Sequence, residues 1–160
     1  MDGLLVTLTA VTALGCGLNA GVFFAFSSFV MKALARLQPA QGIAAMQSIN
    51  LMAVTPAFMA ALFGTAAACV ALGVWALVDW DTSSGPWLLA GSAVYLVGTI
   101  GLTIAYHVPR NNALAALRPQ GAEAAGRWTR YAAEWTRGNH LRAAAALAAA
   151  VSFTLALRVG

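Results

Sequence analysis

The chain contains two histidines, His107 and His140, each placed where a long apolar stretch meets polar residues. Imidazole is the side chain best suited to move protons near neutral pH, and it is also a common ligand of metals and haem. His107 sits in YHVPRNNAL (Tyr106–Leu114) and His140 in GNHLR (Gly138–Arg142). Neither has an HxxxH partner, a nearby carboxylate or a cysteine at ligand spacing, so no metal site is expected. Acid–base work, hydrogen bonding to a ligand, and axial haem ligation by both imidazoles all stay open on spacing alone. His140 lies one position, or about 100° of helical rotation, beyond Asn139, which turns it towards a different neighbour.

Other polar residues interrupt apolar runs in ways that need a partner. Asn19 falls midway along one such run and shares a helical face with Thr12, Cys16, Phe23 and Val30, with Ser27 at its edge. In hydrocarbon an unpaired amide is costly, so this face must point inward. Asn19 then either ties helices together, worth about 1 kcal/mol in model systems, or lines a pocket. Between Gly126 and Arg142, the side chains of Trp128, Tyr131, Trp135, Asn139 and Arg142 fall in one stripe about 80° wide. That stripe reads as an interfacial anchor or as a pocket wall, and Arg142 must snorkel or meet an anion. Arg127, Arg130, Glu134 and Arg137 gather opposite. Glu134 is in register with Arg130 and Arg137, and Glu123 with Arg127. In YHVPRNNAL, Pro109 is expected to end the preceding helix with Val108 extended. Asn111 or Asn112 would then cap a short helix over ALAAL.

The elements that must position these residues are membrane spans. Of 160 residues 61% are hydrophobic and 9% charged, and the mean hydropathy is +0.76. Soluble chains carry roughly 25% charged residues, so the outer surface of this one must meet lipid. A span needs about 20 apolar residues, and the chain offers four, over 3–30, 54–78, 87–106 and 138–157. The fold class is therefore all-α: an integral-membrane four-helix bundle forming one domain over 1–160. The first run is too long, and lacks the basic start, for a cleaved signal peptide.

The loops set the expected orientation. Lys32 and Arg36 follow the first span, while Arg110, Arg118, Arg127, Arg130 and Arg137 lie between the third and fourth. The second loop, DWDTSSGP, is acidic and turn-forming. The positive-inside bias puts both basic loops in the cytoplasm and both termini outside, with Trp75, Trp80 and Trp87 at the outer interface. Gln38–Pro39 starts an amphipathic segment that runs towards the second span, which Pro56 is placed to kink or restart. The net charge of +4 belongs to the cytoplasmic rim, not to a nucleic-acid surface. Cys16 and Cys69 are apolar fillers rather than a redox pair. The small-residue run LRAAAALAAAV suits close helix packing within the chain or in a homo-oligomer. A multi-pass protein of a bacterial-type inner membrane, or its equivalent, is expected.

Four motifs in order, LNAGVFFAFSSFVMKAL (Leu18–Leu34), MQSIN (Met46–Asn50), YHVPRNNAL and WTRYAAEWTRGNHLR (Trp128–Arg142), resemble the anthrone oxygenase family of small four-helix membrane proteins. The resemblance implies a membrane-embedded oxygenase that needs no added cofactor. It would convert an anthrone-like polycyclic phenol to a quinone with O₂. It further implies roles: His107 as base, Asn111, Asn139, His140 and Arg142 in catalysis or oxyanion stabilisation, and Asn19, Phe23, Asn50, Trp128, Tyr131 and Trp135 around the substrate. The implied partners are a hydrophobic small molecule and membrane lipid. A non-catalytic binder of lipid, quinone or another hydrophobic metabolite fits the same composition, as does a haem or copper redox carrier.

Overall fold

The computed structural model describes residues 1–79 and 83–160. Trp80 and Asp81, part of the expected acidic turn, lie outside the described residues. Five helices follow in order: α1 Gly3–Leu34, α2 Pro39–Met52, α3 Pro56–Val78, α4 Gly85–Ala115 and α5 Ala124–Val159. All but α2 are long and apolar enough to cross a membrane. No strand occurs among the described residues.

The helix starts are chemically defined. Asp2 accepts the Leu5 N–H at 2.8 Å, and Thr55 accepts the Phe58 N–H at 3.3 Å ahead of Pro56. Each satisfies an amide that the first helical turn leaves unpaired. Pro39 and Pro56 occupy first helical positions, where a missing N–H costs nothing. The amino group of Met1 donates to Gly160 O at 3.1 Å, and Ser83 Oγ to Val159 O at 2.6 Å. Both termini therefore lie at one end, beside the α3–α4 turn. Lys32, Arg36, Arg110, Arg118, Arg127, Arg130 and Arg137 gather at the other, hereafter the basic end.

One expectation fails in α4. Pro109 does not end α4. Val108 is helical, with φ −58° and ψ −48°, and its N–H bonds Thr103 O five residues back. This π-helical turn over Thr103–His107 opens the ring of carbonyls that a proline would strike in a regular α-helix. Asn111 and Asn112 accordingly sit within the helix and cap nothing. The fourth span, short by its apolar length alone, is lengthened by the helix before it into one 36-residue rod. At about 1.5 Å per residue that rod is about 54 Å long, well beyond a hydrocarbon core of about 30 Å.

The surplus length builds a second core. Within the bundle, Leu5, Cys16, Leu72, Leu88, Tyr95, Phe153 and the small faces of Ala146, Ala149 and Ala156 pack together. At the basic end, Met31, Leu34, Ile43, Met46, Leu114, Trp128, Tyr131 and Trp135 form a separate apolar cluster between α2 and the start of α5. Gly42 lets α2 come this close, because a Cβ there would lie 2.8 Å from the Trp128 ring. Ala146, Ala149 and Ala156 of α5 are thus used in packing within the chain, while Ala144 and Ala148 stay exposed.

Candidate functional site

A cavity of about 250 Å³ opens at the junction of the two cores. Its walls are mostly apolar, with Phe23, Phe26, Met46, Phe58 and Leu62 prominent, and Asn50, Thr103, His107, Asn111, Trp135 and Arg142 add polar atoms. Three helices reach it through π-helical segments: Phe26 from Phe26–Val30, Leu62 and Phe63 from Ala60–Gly64, and both Thr103 and His107 from Thr103–His107. Such segments recur at functional sites because they widen a helix locally and re-aim its side chains.

His107 is 1% exposed, and neither of its ring nitrogens makes a hydrogen bond. The ring is held instead by edge-on contacts, with centroids 5.0 Å from Trp135 and 5.4 Å from Tyr106. Gly138 makes room for it, since a Cβ there would come within 3.2 Å of Nε2. A buried imidazole normally pairs at least one nitrogen; neither nitrogen of this one has a hydrogen-bond partner, and Nε2 lies against Gly138 of α5.

Arg142 crosses the same site from α5. Nε and Nη2 donate to Asn139 Oδ1 at 3.2 and 2.6 Å, and Nη1 donates to Thr103 Oγ1 at 3.1 Å. The guanidinium lies over the Phe23 ring at 4.0 Å. Among the described residues no carboxylate pairs with it. Its charge is solvated by neutral acceptors and is left uncompensated beside the cavity. Asn139 is anchored in turn by donating Nδ2 to Phe23 O and Ser27 Oγ, both at 2.6 Å.

Asn111 Oδ1 accepts from Tyr131 Oη at 2.9 Å and from Trp135 Nε1 at 3.0 Å. Indole N–H can only donate, so the amide oxygen must face the tryptophan and the NH₂ group is turned away. Asn50 Nδ2, on the α2 side, is buried without a partner. The cavity therefore combines a free imidazole, an uncompensated cation and two amide donors on an apolar floor.

The sequence-derived candidates divide cleanly. Phe23, Asn50, His107, Asn111, Trp135 and Arg142 line the cavity, and Asn139 stands directly behind Arg142. Tyr131 reaches the cavity wall only through its hydroxyl on Asn111. Trp128 stacks on Tyr131, with centroids 5.9 Å apart, inside the second core. Asn19 lies in the bundle, where Nδ2 donates to Gly15 O, Ala61 O and Tyr95 Oη at 2.9 to 3.0 Å; it is helix glue. His140 is exposed and lines a different groove with Lys32 and Arg137. The two imidazoles do not share a site, so the paired axial ligation left open by spacing is not available. No group of three metal-ligating side chains occurs among the described residues. Glu134 pairs with Arg110 at 3.1 Å rather than with Arg130 or Arg137, because the continued α4 lays Arg110 beside α5. Glu123 pairs with Arg127 at 2.8 Å, as its spacing indicates.

Thr103, Phe26, Met46 and Phe58 were not foreseen. Thr103 carried a signal nonetheless: Thr103, His107 and Asn111 follow at intervals of four, one face of an uninterrupted helix. Pro109 hid it by suggesting a break.

These features define a helical protein of the multi-pass membrane type with a small polar-lined site in an apolar interior. The model of the anthrone oxygenase family matches residues 56–152, more than half of the chain, and the chain belongs to that family. The matched stretch includes Thr103, His107, Asn111, Trp135, Asn139 and Arg142. No curated protein and no solved structure matches it.

Proposed function

We propose that the protein is an oxygenase that converts an anthrone-like polycyclic phenol to the corresponding quinone within the membrane, with O₂ as oxidant. The observation that carries this reading is His107, an imidazole with both nitrogens unpaired at the wall of an apolar cavity. An anthrone presents a methylene between two aryl rings. His107 takes one proton from that carbon, and the electron pair delocalises onto the ring oxygen as an anthranolate. Arg142 and the Asn111 amide stabilise the developing oxyanion, which a preorganised site of low polarity does far better than water. The anthranolate passes one electron to O₂, giving a ring radical and superoxide. These combine at the same carbon, the proton returns to form a hydroperoxide, and loss of water leaves the carbonyl. One ring CH₂ and one O₂ thus become one C=O and one H₂O, and this route draws on no added redox group.

The family membership supports an oxygenase-related role, and the family's name suggests the substrate class, which the residues at the cavity suit. The test uses purified protein in detergent with emodin anthrone, following quinone absorbance. Wild type should exceed the uncatalysed rate, and His107→Ala should lose about 10²- to 10⁴-fold, the usual contribution of a general base. A wild-type rate equal to background rejects the substrate class. An undiminished rate in His107→Ala rejects the base. Tight quinone binding by wild type without turnover would instead favour a carrier of hydrophobic metabolites.

A further inference from the structure

The basic end carries a second feature that the proposed reaction does not use. A surface groove lies between the end of α1 and the first half of α5, lined by Lys32, Arg137, His140, Thr129 and Thr136 over a floor that includes Met31 and Trp128. No acidic side chain lines it. Lys32 and Arg137 have no carboxylate partner among the described residues, whereas Arg110 and Arg127 are neutralised by Glu134 and Glu123. Two of the uncompensated cationic groups of this end, Lys32 and Arg137, thus share one groove, whereas Arg36, Arg118 and Arg130 do not line it. His140 adds an N–H donor in either charge state.

The groove also has a direction. One turn back along α1 from Lys32 is Phe29, 62% exposed, and one turn along α5 from Arg137 is Leu141, 63% exposed. Both steps lead from the basic end towards the middle of the bundle, and Leu147 and Val151 continue the exposed apolar face along α5. Cationic and hydroxyl donors at one level, with exposed apolar side chains directly beyond on the same two helices, match a phosphodiester whose acyl chains run along the protein.

We propose that the Lys32–Arg137–His140 groove is a binding site for the headgroup phosphate of an anionic phospholipid. Lys32 and Arg137 supply charge, the Thr136 hydroxyl and the His140 imidazole supply hydrogen bonds, and Phe29 and Leu141 receive the chains, while the Thr129 hydroxyl is spent on Ala125 O at 3.1 Å. The site is separate from the His107 cavity, so it stands whether or not the protein oxidises anthrones.

The test is native mass spectrometry of the full chain from micelles doped with phosphatidylglycerol or with phosphatidylcholine. Wild type should retain phosphatidylglycerol preferentially. The double variant Lys32→Gln, Arg137→Gln should weaken that retention by about thirtyfold, two basic groups each contributing several-fold at an anionic headgroup, while Arg118→Gln, Arg158→Gln, with the same change in net charge, should leave it within about twofold. Thermal melting by circular dichroism confirms that each variant is folded. Equal losses in the two double variants would reduce the effect to net charge and overturn the site. Equal retention of phosphatidylcholine would overturn the charge selectivity. Displacement of the lipid by inorganic phosphate alone would make the groove a free-anion site and overturn the lipid assignment.

Discussion

At the scale of single residues, the site is organised by groups that hold one another in a fixed protonation and orientation. Arg142 is the side chain that lipid would penalise most, and it is retained by neutral acceptors only: Asn139 Oδ1 twice and Thr103 Oγ1 once. Among the described residues no carboxylate cancels its charge, which is therefore available to an anion forming in the cavity. Asn111 is oriented as firmly, because Trp135 Nε1 can bond only to its oxygen. Asn111→Asp keeps both accepted bonds, from Tyr131 and Trp135, and replaces the N–H donors by a carboxylate oxygen. The variant should fold, yet bind an anthraquinone about tenfold or more weakly, since a ligand oxygen loses its donor and faces a carboxylate. Quenching of tryptophan fluorescence reads this directly, and unchanged affinity would mean that the amide does not face the ligand. The stripe Trp135–Asn139–Arg142 was legible in the sequence because polar residues inside an apolar run have few places to point. Trp128 and Tyr131 share the stripe but not the cavity. The stripe runs through 15 residues, about 21 Å of helix, and its far end belongs to the second core.

At the scale of elements, α4 decides whether His107 reaches the cavity at all. The length of the apolar runs identified four membrane-length helices, and Pro39 as a helix start followed from local chemistry, whereas Pro56 could be read as a kink or a restart. The π-helical turns had no such signature. They depend on which carbonyl an amide finds after packing, and no residue type demands them. Pro109 is the informative case, since it reads as a breaker by its own geometry but is accommodated by the widened turn before it. That turn also sets the rotation that aims His107 at Trp135. Pro109→Ala restores a backbone N–H and removes the steric reason for the widening, which permits a regular α-helix from Thr103 onward. Loss of one extra residue from the turn would rotate everything before it by about 100° relative to Asn111. Turnover should then fall by at least about tenfold while thermal stability holds or rises, because proline inside a helix costs about 3 kcal/mol. Activity and melting temperature measured together decide the matter: a variant that is stable and fully active would show that the turn is held by tertiary packing alone.

At the scale of the whole molecule, two cores meet end to end and the cavity occupies their junction. The membrane bundle supplies Phe23, Leu62 and Thr103, while the basic-end cluster supplies Met46 and Trp135. Sidedness then fixes the leaflet from which a hydrophobic substrate arrives. Seven basic residues lie at the α2 end against Arg158 near the termini, an asymmetry from which the positive-inside bias predicts an α2 end in the cytoplasm. Single cysteines report this cleanly, because the native Cys16 and Cys69 are fully buried. In intact cells Gly160→Cys should react with a membrane-impermeant maleimide, and Arg118→Cys only after lysis. The reverse pattern would invert the topology and move the cavity to the opposite leaflet. With the expected pattern, the lipid-exposed apolar residues beside the cavity, Leu51, Met52 and Val54 at the α2–α3 joint, face the cytoplasmic leaflet. A planar phenol dissolved in that leaflet then meets the cavity's apolar wall at Val54 and Phe58 before it meets His107.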